Sequence, residues 1–297
     1  SQSDLGEISA NGQYQKLLDV SALGASTVYD VYWPSAQQMW LATDDGVQRY
    51  QRGERGLTPQ FANLAGFTVR VLQPDAAGGV WIGGVMGLYH FSDDTLRPFA
   101  LNDELESRNI TVLQDIQQQL VFGTTRGLYQ YQQQGLTRLG VGTALYNSYI
   151  TALQVLPDGT VVVATLDDGI FVLLPGQAQW LQLHAGNGLP HSPVVSMTYD
   201  GATDYIWISS HKGIFRLRAA ELDRPNLDNL PIEDVLGPHD RQLGTVPGRC
   251  CNGAGHAKVA LWQQQYWYPT LKGLVAVPAE LNRKADKPVQ PVIKLVQ

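Results

Sequence analysis

Six glycines in this chain each follow a pair of residues placed to meet a ligand. The pairs are Asp44 and Asp45 before Gly46, Val85 and Met86 before Gly87, and Thr125 and Arg126 before Gly127. They continue as Asp167 and Asp168 before Gly169, His211 and Lys212 before Gly213, and Leu271 and Lys272 before Gly273. A second group, Asn109, Tyr146, Asn147, Tyr149, His191 and Asn252, lies in the segments between successive copies of this pattern. Mixed charges, amides and aromatic rings gathered on one surface can bind a sugar or a small anion. From this pool we take Asp45, Arg126, Tyr146, Tyr149, Asp168, His191, His211, Lys212, Asn252 and Lys272 as candidate ligand-binding residues. Turn residues are also polar simply because turns face water. The set gains weight only if its members share a face.

Catalytic and metal-binding patterns are missing. The carboxylate pairs Asp44–Asp45, Asp93–Asp94 and Asp167–Asp168 are sequence neighbours, which does not place two carboxyl groups across a substrate. There is no G-x-S-x-G, no phosphate-binding loop and no nucleophile–base signature. His191, His211, His239 and His256 lack metal-ligand spacing, so neither a metal nor a cofactor is expected. Cys250 and Cys251 are the only cysteines, which excludes an ordinary disulfide framework. Adjacent cysteines fit normal disulfide geometry poorly, and a vicinal disulfide with a redox role is the weaker reading. A polysaccharide lyase or glycosidase would have to draw its acid–base groups from His191, His211, Tyr149 and Arg126.

The elements that must carry these residues are repeats. Gln38–Tyr50 (QMWLATDDGVQRY) returns as Val80–Phe91, Leu120–Tyr131, Val161–Leu173, Ile206–Leu217 and Tyr266–Val277. The glycines stand about 40 to 45 residues apart, except for a last gap of about 60, and that period belongs to the four-stranded blade of a β-propeller. In each copy an apolar run, small residues, a turn ending in Gly and an alternating apolar run spell strand, tight turn, strand. The large residue at Trp40, Trp81, Trp207 and Trp267, replaced by Val121 and Val162, is expected to fill the space between blades rather than to stack on a ligand. A blade cannot bury its own faces, so the copies must stack.

First strands are expected at Val28–Trp33, Thr68–Gln73, Ile110–Asp115, Ile150–Leu156, Val194–Tyr199 and Ala257–Trp262. Fourth strands are expected at Gln60–Leu64, Leu96–Ala100, Leu136–Leu139, Gln179–Leu183 and Ile232–Leu236. The segment leading into each first strand and the turn between second and third strands then fall at one end of the blade, on the rim of a central channel. Asp4–Leu18 reads as two strands, the outer half of a blade. The fold expectation is therefore all-β, a propeller of four-stranded antiparallel blades, with six readable repeats plus an N-terminal half blade and six or seven blades in all. The propeller is expected over residues 1–278. Residues 279–297 read as a linker and the first strand of a following domain. The long fifth gap holds two inserts, Ala219–Leu230 and Gly237–Gly255, and long loops on rigid scaffolds often carry function.

Bulk properties narrow the classes. The chain has 297 residues and a net charge of −6 with no basic run, which argues against nucleic-acid binding. No run of 18 apolar residues is present to span a membrane. The abrupt start, without a signal-peptide pattern, reads as a mature or excised segment.

The repeated form W-I-G-T-x-x-G-L-x-x-Y appears here as WLATDDGVQRY, WIGGVMGLYHF, FGTTRGLYQY, VATLDDGIFVL, WISSHKGIFRL and WYPTLKGLVAV. It resembles the two-component regulator propeller family over about nine-tenths of the chain. The last copy, CNGAGHAKVALWQQQYWYPTLKGLVAV, is similar to the family's closing repeat, and the terminal PVIKLV resembles the first strand of the immunoglobulin-like domain that follows it. The resemblance implies the periplasmic sensor region of a bacterial inner-membrane signalling protein whose output is a histidine kinase or a diguanylate cyclase. It implies a non-enzymatic fragment that binds a small ligand, such as an oligosaccharide, or a partner protein, at the channel rim or at the face of a homodimer. A protein-interaction scaffold is the further alternative, which a large exposed apolar patch would favour.

Overall fold

A computed structural model describes residues 4–9, 11, 13–19, 24–54, 56–116, 119–133, 135–237, 250–251, 258–270 and 273–280. A hairpin comes first, β1 (Asp4–Ile8) and β2 (Tyr14–Asp19). Blade 1 is β3 (Val28–Ser35), β4 (Gln38–Thr43), β5 (Gly46–Gly53) and β6 (Gly56–Asn63). Blade 2 is β7 (Val69–Pro74), β8 (Val80–Gly84), β9 (Gly87–Ser92) and β10 (Thr95–Pro98). Blade 3 is β11 (Ile110–Ile116), β12 (Gln119–Thr124), β13 (Gly127–Gln132) and β14 (Gly135–Arg138). Blade 4 is β15 (Ile150–Val155), β16 (Val161–Thr165), β17 (Ile170–Leu173) and β18 (Leu181–Leu183). Blade 5 is β19 (Val194–Asp200), β20 (Tyr205–Ser210), β21 (Gly213–Arg218) and β22 (Glu233–Leu236), and blade 6 is β23 (Ala260–Trp262), β24 (Gln265–Thr270) and β25 (Gly273–Pro278).

In every blade, strands pair antiparallel with their sequence neighbours, giving five four-stranded sheets and one three-stranded sheet among the described residues. The fold is an all-β propeller, as the repeat predicts. The chain divides into two compact units, one holding the hairpin and blades 1–3 and the other holding blades 4–6.

The motif works through a hydroxyl and a glycine. Thr43 Oγ1 donates to the Gly46 carbonyl at 2.9 Å and accepts from the Asp45 amide at 3.1 Å, closing the turn from inside. The same pair of bonds recurs at Thr124, Thr165 and Ser210, all fully buried or nearly so. The glycine is demanded by the end of the adjacent fourth strand. At Gly213 a Cβ would lie 2.1 Å from the Leu236 carbonyl oxygen, and at Gly46, with φ +92°, it would lie 2.3 Å from the Asn63 oxygen.

The first strands share a feature that the repeat does not announce. Blades 1 to 5 each break register at the second residue, Tyr29, Arg70, Thr111, Thr151 and Val195, a β-bulge at the same place five times.

The cores lie between blades. Trp40 meets Phe91 edge-on at 4.9 Å between blades 1 and 2, and Trp207 lies 4.6 Å from Tyr266 between blades 5 and 6. Trp40, Trp207, Val121 and Val162 are buried, as the repeat predicts, whereas Trp81 and Trp267 stay partly exposed. Asp30, itself buried, ties blade 1 to blade 2 by accepting from the Leu72 amide at 2.8 Å.

The fourth strand of blade 1 starts at Gly56, earlier than its apolar content suggests, because the β5–β6 pairing continues past a register shift at Arg49/Tyr50 down to Gly53 opposite Gly56. The N-terminal hairpin forms a sheet of its own. Leu5 and Leu18 pack on Met39, Leu41 and Tyr50 of blade 1, and Glu7 pairs with Arg52 at 2.7 Å. Residues 281–297, and with them the strand expected there, lie outside the described residues.

Candidate functional site

Strand order places the turn between second and third strands beside the inbound loop of the same blade. The structure ties the two together. Asp44 accepts from the backbone amides of Ser26 and Thr27 at 2.9 and 3.0 Å and from the Ser26 hydroxyl. Desolvation would raise the Asp44 pKa, but these hydrogen bonds outweigh it and hold the carboxyl below its ordinary value. Asp45 accepts from the Gly66 amide. Asp168 accepts from the Ser148 hydroxyl at 2.5 Å, and the hydroxyls of Ser107 and Thr125 lie 2.7 Å apart. Two of the predicted ligand-binding carboxylates, Asp45 and Asp168, thus serve as latches on half-buried side chains.

Other predicted residues remain outward. Arg126 is 64% exposed and meets Glu106 at 3.3 Å, where Arg138 also approaches at 3.8 Å. His211 and Lys212 are exposed at the tip of the blade 5 turn, and Tyr146 and Tyr149 are half-buried ahead of β15. His191 belongs to the outer half of its blade, 6.3 Å from the Phe215 ring and 3.9 Å from Asp234 on β22. Asn252 and Lys272 lie outside the described residues. Cys250 and Cys251 are joined to each other and buried beside Trp207, Tyr266 and Tyr268, and the Cys250 amide donates to the His211 carbonyl at 2.6 Å.

The opposite end of the blades holds what the repeat alone conceals. A cleft of about 530 Å³ opens between blades 4 and 5, where first–second and third–fourth strand turns meet. Its apolar walls include Leu156, Leu174 and Leu222, and its polar groups include Asp158, Asp204, Asp223, Gln177, Thr160 and Tyr199. One wall is the first insert of blade 5. Ala219–Leu222 forms a single 3-10 turn, and buried Leu222, Leu227 and Leu230 anchor the insert on the core between the two blades.

The carboxylates are oriented by neighbours. Asp204 accepts from the Tyr199 hydroxyl and the Ala220 amide, each at 3.2 Å. Asp158 accepts from the Thr160 amide and hydroxyl at 2.9 and 3.0 Å. Partial desolvation, then the Asp204 bond and the charges of Asp204, Asp158 and Asp200, hold the Tyr199 phenol above its ordinary pKa. The lining carries carboxylate acceptors, amide and hydroxyl donors and apolar walls, which is the composition that holds a hydroxyl-rich small molecule. The sequence signals were the Pro157–Gly159 turn and the length of the insert. The insert was marked as a loop that could carry function, but neither it nor the turn entered the candidate set.

No family model matches the chain, and no curated protein matches it. Solved structures do. The chain is similar to the extracellular domain of a protein assigned to the hybrid two-component systems of B. thetaiotaomicron, at 18% identity and a TM-score of 0.67, over 88% of this chain and 34% of that one. A second such domain from the same organism matches at 14% identity and a TM-score of 0.65, over 87% and 34%. An inactive variant of virginiamycin B lyase from Staphylococcus aureus, with quinupristin, matches at 11% identity and a TM-score of 0.54, over 86% and 85%. The chain spans about a third of the length of the two-component structures. At these identities the likeness defines the class by fold, a β-propeller domain.

Proposed function

We propose that this chain is the ligand-sensing propeller of a bacterial signalling protein, carried on the periplasmic side of the inner membrane. It binds a small hydroxyl-rich ligand such as an oligosaccharide and relays occupancy to an output domain. The observation that carries this reading is the likeness, over 88% of the chain, to an extracellular domain of a hybrid two-component protein. The cleft between blades 4 and 5 supplies the binding geometry, with Asp158, Asp204 and Gln177 as hydrogen-bonding groups. The turn of blade 5 is the second candidate surface, favoured by the outward side chains of His211 and Lys212. Relay is a rigid-body shift of the propeller against the domain that follows.

A thermal-shift screen of the purified chain against oligosaccharides tests the reading. A ligand at a hundred times its Kd stabilises the folded form by about 2.7 kcal/mol. Asp204→Asn should remove that shift if the cleft is the site, whereas His211→Ala with Lys212→Ala should remove it if the blade 5 turn is. Turnover of any glycan in the same screen would replace the sensor reading with an enzyme, the alternative that the lyase likeness favours.

A further inference from the structure

The cleft between blades 4 and 5 has a sign of charge as well as a shape. Its lining holds Asp158, Asp204 and Asp223 and no Lys, Arg or His. Asp158 accepts from the Thr160 amide and hydroxyl, and Asp204 accepts from the Tyr199 hydroxyl and the Ala220 amide. These donors are neutral, so they orient the carboxylates without cancelling their charge. The neighbouring guanidinium groups have other partners. Arg224 pairs with Glu221, and Arg218 lies 4.6 Å from the Tyr205 ring centroid with Nη1 3.5 Å from the Thr203 carbonyl. Among the described residues no salt bridge reaches Asp158, Asp204 or Asp223.

A second cleft, of about 310 Å³, lies between blades 2 and 3, with half-buried Trp81 as one wall and Asp75 and Asp115 in its lining. There Asp75 is already committed. Its Oδ1 accepts from the Ala77 and Gly79 amides at 2.8 Å each, and its Oδ2 lies 2.6 Å from His90 Nε2. Desolvation pushes the Asp75 pKa up, but the His90 and turn-amide bonds prevail and keep it below the ordinary carboxylate value. A histidine partner of that kind is what the carboxylates of the larger cleft lack.

We propose that the cleft between blades 4 and 5 selects a cationic sugar, an oligosaccharide carrying a protonated amine, over its neutral and anionic counterparts. This rests on the reading of that cleft as the ligand site. Leu156, Leu174 and Leu222 offer apolar walls to the C–H face of a sugar ring, and the Gln177 amide can both donate to and accept from its hydroxyls. Those groups and the volume of about 530 Å³ define a sugar site without reference to charge. The carboxylates then decide which sugar. They come from separate segments, Asp158 from the β15–β16 turn, Asp204 from the β19–β20 turn and Asp223 from the insert after β21, so they meet a ligand from different sides. An ammonium group only donates, which suits acceptors that cannot donate back. A uronate would instead bring one more negative charge to a site that has no cation to receive it.

The test titrates three disaccharides of one frame into the whole chain by calorimetry at about pH 6, above the Asp range and below that of an amine. The probes are cellobiose, its glucosamine counterpart, and the counterpart with a carboxylate in place of one hydroxymethyl group. The glucosamine disaccharide should bind about threefold to tenfold more tightly than cellobiose, and the uronate more weakly than cellobiose. Added salt should narrow both gaps. Asp158→Asn and Asp223→Asn should each cut the preference for glucosamine over cellobiose by about twofold to threefold. Circular dichroism of both variants checks that the fold survives, and Asp223→Asn, at an exposed position, carries the test if Asp158→Asn unfolds. Equal affinities for the three probes, or a tighter uronate, would overturn the charge selection while leaving the cleft as a site for neutral sugars. A preference unchanged in the folded variants would overturn its assignment to these carboxylates. Binding of no probe at tens of millimolar would overturn the selection and the cleft as the sugar site together.

Discussion

The Thr124 hydroxyl donates to the Gly127 carbonyl at 3.1 Å while accepting from the Arg126 amide at 2.9 Å, so one buried side chain closes the tip of blade 3. Replacing it with Val keeps the shape and leaves the amide and the carbonyl without that partner. Thr124→Val should lower stability by about 1–3 kcal/mol. Urea unfolding reads this directly, and a change below a few tenths would show that water substitutes for the hydroxyl.

The glycines of the repeat answer to a different constraint. Gly213 faces the Leu236 carbonyl so closely that any Cβ would collide with backbone. Gly213→Ala should therefore cost about 2–4 kcal/mol, far above a surface substitution. Gly142, with open space around it, provides the comparison, since Gly142→Ala meets only the strain of its positive φ.

Trp207 is buried and lies against Tyr266 of the next blade. Trp207→Ala should destabilise the protein by about 3–5 kcal/mol, through lost transfer energy and the cavity left behind. Trp267, partly exposed at the equivalent position, should cost distinctly less in the same denaturation series.

Asp44 and Asp75 both hold folded-state pKa values below the ordinary range. A depressed carboxylate adds stability that is complete above its unfolded pKa, about 4, and is lost as pH falls through the folded value. The melting temperature should thus be flat near neutrality and fall as the solution is acidified below that point. Asp44→Asn with Asp75→Asn should start lower at neutral pH and fall less steeply. Parallel curves for parent and variant would refute the assignment of the acid-labile groups.

Arg126 and Glu106 pair on the surface, with side chains 64% and 48% exposed. Arg126→Ala should change stability by less than about 1 kcal/mol, as solvent-screened pairs do. Any effect of that variant on ligand binding can then be read without a folding correction.

The sequence by itself determined the blade. Spacing of the six glycines, the apolar run before each and the alternating run after it are local properties, so one copy predicts one pair of strands and the period predicts the stack. Even the inward packing of Trp40 and Trp207 follows from their recurrence. The hydroxyl staple at Thr43, Thr124, Thr165 and Ser210 was visible as a small polar residue, but its bonding depends on turn geometry that spacing does not encode.

Only the tertiary structure decided where a ligand could sit. The rim residues were chosen for sharing a face, yet Asp45 and Asp168 spend oxygens on inbound loops, Asp45 on Gly66 ahead of blade 2 and Asp168 on Ser148 ahead of blade 4. Both clefts are built from residues that come from different blades, such as Asp158 with Asp204 and Asp75 with Asp115. How far those residues stand apart depends on how neighbouring blades pack and on what an insert such as Ala219–Leu230 fills. For the same reason Trp81 is a cleft wall while Trp40 is core. Identical positions in a repeat share a backbone, but exposure is set by the side chains of the next blade, which the repeat leaves free to vary.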